Sequence, residues 1–373
     1  MKKIAIIGST GSIGTQTLEL IENNLENYDV YALTAGNNIS LHKKQINKFK
    51  PKFYDNLKQI DYDIEGSSLL DSLKIVNDKN LDFILFATSG SDTYSPIVNA
   101  INSGNNIGLT NKEVIVIFGP LLFKAANRNN SKIFPIDSEP SAIWQCIDNE
   151  PRNISKIILT ASGGAFRDID FKDLRNITPD QASRHPNWKM GEKISVDSST
   201  MMNKIFEIVE ISYMFNIPFE KIEVLIHRES LVHSMVEFDD GSIKAQISQP
   251  DMILPIKHAL DYKEFNLKYE NKLDFSEISQ FSFSQIKKGK YPCYDFSYEY
   301  IKKGPLYVSA LAITNEILVE LFLAEKISYI SISKYLEMTL LNQKFNQEFN
   351  YDNIIELREY LTTRISKLIQ NKK

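Results

Sequence analysis

Gly8-Ser9-Thr10-Gly11-Ser12-Ile13-Gly14 stands between an apolar run, Lys3–Ile7, and a stretch of helical spacing, Thr15–Ile21. Glycines let backbone N–H groups come close to a pyrophosphate, and a helix N-terminus adds a favourable partial positive charge. The segment reads as a dinucleotide-binding turn with GxxGxxG spacing in place of the commoner GxGxxG. A tight strand-to-helix connection with no ligand gives the same letters. The next strand closes on Ala35-Gly36-Asn37-Asn38, which offers no acid to ribose hydroxyls, and Lys43 and Lys44 follow; NADPH is therefore expected over NADH. The two lysines fit a solvated helix face equally well.

A second chemistry is written in carboxylates. Asp137-Ser138-Glu139 follows the run Lys132–Ile136. On extended backbone, residues two apart point the same way, and open α/β sheets place their sites at the carboxyl ends of strands. The pair is a candidate for Mg2+ or Mn2+, with Co2+ a further candidate, because such ions take oxygen ligands; an isolated DxE is also a common surface pair. Farther on, Asp197-Ser198-Ser199-Thr200-Met201-Met202-Asn203-Lys204 leads to Glu207. Asp197 or Ser198 reads as an N-cap, followed by a helix over Ser199–Phe215. On that helix Asn203, Lys204 and Glu207 share one side and Ile205, Ile208, Val209 and Ser212 the other. A hydroxyl, an amide and an ammonium at a helix start suit a phosphate, and Glu207 adds a third carboxylate. An ordinary amphipathic helix with an exposed Lys204–Glu207 pair has the same spacing. Ser162-Gly163-Gly164 offers a hydroxyl and flexible N–H groups to an anion, or is a plain turn. His185-Pro186-Asn187-Trp188-Lys189-Met190-Gly191 reads either as a lid that excludes water or as a loop anchored by a buried Trp188.

These groups need a scaffold. Strands are predicted at Lys3–Ile7, Asp29–Ala35, Phe83–Ala87, Asn106–Leu109, Lys132–Ile136 and Lys156–Thr160, alternating with helical stretches. Residues 184–197 read as loop-rich, and strands recur at Ile222–Ile226 and Ser242–Ile247. The stretch from Lys263 to Lys303 reads as a long connection; Leu306–Ala324, Ile332–Leu341 and Ile354–Gln370 read as helices. The fold class is α/β: a Rossmann-like parallel sheet over residues 1–150, a central α+β catalytic domain over 151–290 with its lid at 184–192, and a small helical bundle within 291–373.

Composition narrows the partners. Of 373 residues 43% are hydrophobic, enough for more than one core, and 43 basic against 47 acidic side chains leave a net charge of −4. Neither nucleic acid nor an anionic membrane is expected. Cys146 and Cys293 make no disulfide framework and lack metal spacing. The apolar run after Met1-Lys2-Lys3 stops at Gly8, too short for an export signal. The longest apolar stretch is taken as Val114–Phe123, about half of the ~20 residues that cross a bilayer. A soluble, cytoplasmic protein is expected.

Together the segments resemble the 1-deoxy-D-xylulose-5-phosphate reductoisomerase family. The resemblance is carried by GSTGSIG, LTNKE (Leu109–Glu113), PIDSE (Pro135–Glu139), LTASGG, HPNWKMG, KISVDSSTMMNK (Lys193–Lys204), QPDMILPIKHAL (Gln249–Leu260), a YPC triplet at Tyr291–Cys293 and the pair Asn315-Glu316. It implies conversion of 1-deoxy-D-xylulose 5-phosphate to 2-C-methyl-D-erythritol 4-phosphate, by a metal-assisted retro-aldol and aldol rearrangement and hydride reduction by NADPH. It implies NADPH contacts at Thr10, Gly11, Ser12, Ile13, Gly36, Asn37, Asn38, Asn111, Glu113 and Gly191, and metal ligands at Asp137, Glu139 and Glu207. Ser162, Ser198, Asn203 and Lys204 match the phosphate seat; Lys112, Ser138, His185, Trp188 and Met190 match substrate-facing positions. Lys112, Glu139 and His185 are the candidate catalytic residues, and a homodimer is implied. Three positions depart from the family pattern: Asn37 replaces a usual basic residue, Pro140 a common histidine after DSE, and Arg228 a frequent proline. A different two-domain dehydrogenase, of the aspartate-semialdehyde or homoserine type, and an NADPH sensor without chemistry, are the rival readings. The aspartate-semialdehyde type needs a nucleophilic cysteine, and Cys146 sits in a helical, apolar context.

Overall fold

The computed structural model describes residues 1–184, 188, 190–262 and 271–370. The chain divides into two compact units. One comprises Met1–Val114, Pro120–Ser141 and Asp251–Asn271; the other comprises Ile115–Gly119, Ala142–Pro250 and Lys272–Lys373.

The first unit is built on a sheet of seven strands: β1 (Lys2–Ile7), β2 (Tyr28–Ala35), β3 (Phe53–Asn56), β4 (Ser68–Leu69), β5 (Phe83–Phe86), β6 (Ile107–Leu109) and β7 (Ile133–Pro135). Their order is β4-β3-β2-β1-β5-β6-β7, and every pairing is parallel. A parallel sheet covered by helices buries both faces, which is why β1 and β5 read as continuous apolar runs. The chain fills the sheet outward from β1 in one direction and then from β5 in the other. The carboxyl ends of β1 and β5 therefore form the switch point where such sheets bind ligands. The five strands expected in this unit lie within one residue of their observed bounds. β3 and β4 were not expected: β3 ends on Asp55 and Asn56, and β4 has two residues, so neither carries a periodic signal.

The second unit holds a mixed sheet of β8 (Ile154–Ala161), β9 (Ile222–Ile226), β10 (Val232–Phe238), β11 (Ile243–Ile247) and β12 (Ser284–Gln285), ordered β11-β10-β8-β9-β12. Only β8 and β9 run parallel. β10 escaped the sequence reading because its buried His233 and Ser234 break the apolar alternation; His233 Nε2 lies 3.2 Å from the Ser248 carbonyl, a partner that only the fold supplies.

Four expectations in this unit need correction. The stretch 184–197 is not all loop, because Glu192–Ser199 is a helix. Asp197 and Ser198 therefore lie in its last turn and do not cap the next one; the helix Met202–Phe215 starts after Met201, which adopts φ +61° with no side-chain cap. That helix is not amphipathic, since every residue from Met202 to Ile211 is buried. The supposed connection 263–303 contains a helix, Pro292–Ile301, opened by a proline where its missing N–H costs nothing.

Helices Pro305–Leu323, Tyr329–Leu340 and Tyr351–Gln370 complete the unit. The first, not Val114–Phe123, is the longest apolar element. By length and composition it passes for a membrane span, but 72% of it is buried here, as befits a core helix.

Candidate active site

In the first unit the glycine-rich turn leaves β1 at the switch point. A Cβ on Gly14 would lie 2.4 Å from the Gly8 carbonyl oxygen and 2.6 Å from Ser9 Cα, so no other residue fits without moving the turn. The helix Ser12–Glu22 begins there, with Thr10 and Ile13 half-buried and Gly11 and Ser12 exposed. Gln45 locks the turn from behind: its amide donates to the Ser9 carbonyl at 2.9 Å and accepts from the Ser9 hydroxyl at 2.8 Å. At the end of β2, Asn37 is exposed and Asn38 caps the helix Ile39–Phe49 by accepting from Leu41 N–H at 3.2 Å. Lys43 and Lys44 are exposed on that helix.

Asn111, buried, caps the helix Lys112–Asn129 by accepting from Val114 N–H, and its amide donates to the Gly90 carbonyl at 2.7 Å and the Thr93 hydroxyl at 2.8 Å. It thereby fixes Lys112 and Glu113 in the helix's first turn. Lys112 is 4% exposed, and its Nζ lies 2.6 Å from Asp137 Oδ2 at the end of β7. The helix Ser138–Ile147 starts one residue later, so Glu139 sits in a first helical turn instead of on extended backbone. The Ser138 hydroxyl donates to Glu139 Oε2.

The second unit gathers the other candidates. Lys204 Nζ lies 2.6 Å from Glu207 Oε2, and Asn203 Nδ2 donates to Glu207 Oε1 at 2.5 Å. Glu207 is fully buried and Lys204 is 6% exposed, which removes the exposed-pair reading. Gly164, at φ +70°, packs so closely that a Cβ would stand 2.5 Å from the Ser198 carbonyl oxygen, which draws the Ser162–Gly164 turn against Ser198. Ser162 Oγ accepts from Gly164 N–H at 3.2 Å, Arg167 donates to the Ser162 carbonyl at 3.0 Å, and the Tyr291 hydroxyl to the Gly163 carbonyl at 2.8 Å. Trp188 and Met190 are half-buried, with the Trp188 ring edge-on to His233 at 6.0 Å. Gly191 precedes the helix Glu192–Ser199 on extended backbone. His185 lies outside the described residues. Burial pushes the Cys146 thiol up to about 11, the reverse of what a nucleophile needs.

Three family models for 1-deoxy-D-xylulose 5-phosphate reductoisomerase match the chain: one at residues 4–119, and two for C-terminal domains at residues 133–215 and 247–363. A reductoisomerase of this name from Clostridium perfringens strain SM101 is 38% identical over 384 residues, covering 97% of this chain and 99% of its own. The belonging is decided. The chain is a member of the 1-deoxy-D-xylulose 5-phosphate reductoisomerase family. A second reductoisomerase, from Thermoanaerobacter sp. strain X514, is 40% identical over 381 residues, covering 98% of this chain and 99% of its own. The reductoisomerase of Zymomonas mobilis, solved with NADPH, superposes with a TM-score of 0.90 at 33% identity, covering 99% of each chain. A reductoisomerase solved with NADPH, fosmidomycin and magnesium superposes at 0.91 and 33%, covering 99% of this chain and 100% of its own.

Two departures from the reductoisomerase pattern have physical accounts. Pro140 is the third residue of its helix, where N–H groups have no intrahelical partner, and so it sits there without cost. Arg228 Nη2 reaches both oxygens of Asp168, at 2.8 and 2.6 Å, and holds that carboxyl below its usual range. Several residues that brace the site drew no functional reading from sequence: Gln45, Arg167 and Tyr291 act through backbone carbonyls, and side-chain spacing does not record such contacts.

Proposed function

We propose that this chain converts 1-deoxy-D-xylulose 5-phosphate to 2-C-methyl-D-erythritol 4-phosphate, in the cytoplasm and as a homodimer, with NADPH and Mg2+ or Mn2+. The observation that carries the reading lies in one sheet: the glycine turn after β1 and the Asp137–Glu139 carboxylates after β7 leave the same carboxyl edge. A reducing cofactor and a cation thus fit at one edge of one parallel sheet. The residues suit both groups. Gly14 lets the helix start close against the Gly8–Ser9 backbone, which forms the tight turn a pyrophosphate needs, and Asp137, Glu139 and Glu207 as ligands give the hard oxygen set that Mg2+ and Mn2+ prefer. When bound, NADPH supplies the hydride and the cation polarises the substrate's carbonyl and hydroxyl oxygens for the carbon–carbon rearrangement.

The chain's own residues bind, orient and cover. Ser162 and Ser198 hydroxyls, the Asn203 amide and the Lys204 ammonium donate to the phosphate, remote from the reacting carbons, so that binding energy is available for orientation. The Lys112 ammonium, fixed by Asp137 and by the Asn111 cap, orients substrate against nicotinamide. Ser138 holds Glu139 in its rotamer. Excluding water is the role of Trp188, Met190 and His185. Thr10 to Ile13, Gly36 to Asn38, Asn111, Glu113 and Gly191 bear on NADPH. The exposed edge strand β11, with Ile243 and Ile247 turned to solvent, supports self-association. The two buried thiols suit a reducing compartment.

The test is direct. Purified protein with Mg2+, NADPH and deoxyxylulose phosphate should consume NADPH one-for-one with methylerythritol phosphate formed; no consumption with either metal removes the reading. NADH run alongside measures what Asn37 does to cofactor choice.

A further inference from the structure

The helix Glu192–Ser199 ends in a buried polar knot that the reaction as proposed does not use. Asp197 is 2% exposed and its two oxygens are divided between partners: Asn315 Nδ2 at 2.7 Å on Oδ1 and Lys193 Nζ at 2.8 Å on Oδ2. Asn315 is fully buried in the middle of the apolar helix Pro305–Leu323, 118 residues away. A carboxylate only accepts, so the amide must face it with its nitrogen. Asn315 Oδ1 has no hydrogen-bond partner among the described residues. Its side-chain hydrogen bonding is thus directed at Asp197.

A buried amide and carboxylate are not the cheapest way to pack two helices, since apolar side chains of similar volume do as well or better. What the pair does fix is register. Asp197 immediately precedes Ser198, the serine of the proposed phosphate seat. On its other side the Tyr329 hydroxyl donates to Ser199 Oγ at 3.0 Å. Ser198 is thus flanked on both sides by residues held from the C-terminal helices. Beyond it the backbone turns through Met201 at φ +61°, and Met201 N–H donates to the Ser198 carbonyl at 3.1 Å. The next helix then delivers Asn203 and Lys204. A shift of the Glu192–Ser199 helix along its axis would therefore move Ser198 away from both.

We infer that Asn315 is a positioning residue for substrate phosphate, acting through Asp197 to set Ser198; the inference rests on the phosphate-seat reading given above. It is tested on the full-length enzyme by steady-state kinetics with deoxyxylulose phosphate and by NADPH binding measured through fluorescence. Ser198→Ala is the reference and should raise KM for the sugar phosphate by about tenfold or more, with NADPH affinity unchanged. Asn315→Leu should raise the same KM by about five- to twentyfold while kcat stays within about threefold and NADPH affinity holds. In the double variant, Asn315→Leu should add less than about twofold to the effect of Ser198→Ala, because both act at one group. Should N315L not fold, Asn315→Ser removes the amide without adding bulk and carries the same test. An unchanged KM in S198A overturns the seat and the inference with it. A raised KM in S198A beside an unchanged KM in the Asn315 variant, a fall in kcat alone, or fully multiplicative effects overturn the inference and leave the seat standing.

Discussion

Taking an ammonium group out of water costs several kcal/mol unless a carboxylate lies against it. Lys112 and Lys204 both offset that cost, against Asp137 and Glu207. Apolar residues would stabilise as well, so the pairs are better explained as charges held ready for ligands. Glu139 is half-buried at a helix start, more open to solvent than the fully buried Glu207. Glu139→Ala should therefore lower kcat by more than about 100-fold, with the melting temperature nearly unchanged; a rate within about threefold of the parent would rule out its place at the metal. His42 behaves differently. It lies between the Tyr62 hydroxyl and the Leu33 carbonyl, and burial lowers its pKa from 6.5 to about 4. Between those values the unfolded chain takes up a proton that the folded chain refuses, so stability falls as pH drops through that window, by about 3 kcal/mol at full extent. Urea midpoints between pH 7 and 4.5 should show the loss, and His42→Gln should flatten it; parallel curves for the two proteins would contradict the assignment.

Among the elements, the turn after β1 tolerates little change. Gly14→Val would press its side chain into the Gly8 carbonyl and Ser9. NADPH affinity should fall by at least about tenfold, and titration of the variant by fluorescence checks it; binding at parental strength would mean that the turn does not hold the cofactor. This element was fully legible in sequence, because strand, glycine spacing and helix are all local. The Asp197–Glu207 stretch was half legible. Its residue types pointed to a phosphate and a metal ligand, but the break at Met201 and the burial of every residue from Met202 to Ile211 were hidden. A left-handed methionine is an effect of tertiary packing, since nothing in its neighbours favours that conformation. Likewise β10 pairs with both β8 and β11, and those partners decide its conformation more than its own alternation does.

For the molecule as a whole, the near-neutral charge means that an anionic substrate is captured by local groups and not by a broad basic field. Chelation with EDTA should accordingly abolish turnover, Mg2+ or Mn2+ should restore it, and NADPH binding by fluorescence should survive the chelator. Loss of NADPH binding together with activity would place the cation in the cofactor site instead. Sedimentation at micromolar concentration should give twice the chain mass of 42.8 kDa. A charged pair at the edge of β11, Ile243→Lys with Ile247→Glu, should shift the mass towards one chain if that edge is buried between copies.

The sequence by itself determined the α/β class, the glycine-rich strand-to-helix turn and the residue types of the candidate site, because periodicity and short motifs are properties of neighbours along the chain. Only the tertiary structure decided that Lys204 and Glu207 are buried together, that Asp197 is a braced carboxylate and not a helix cap, and that the helix Pro305–Leu323 is core and not a membrane span. Each of those outcomes depends on partners far away in sequence: a carboxylate's role depends on which donors fold against it, and an apolar helix on what covers it.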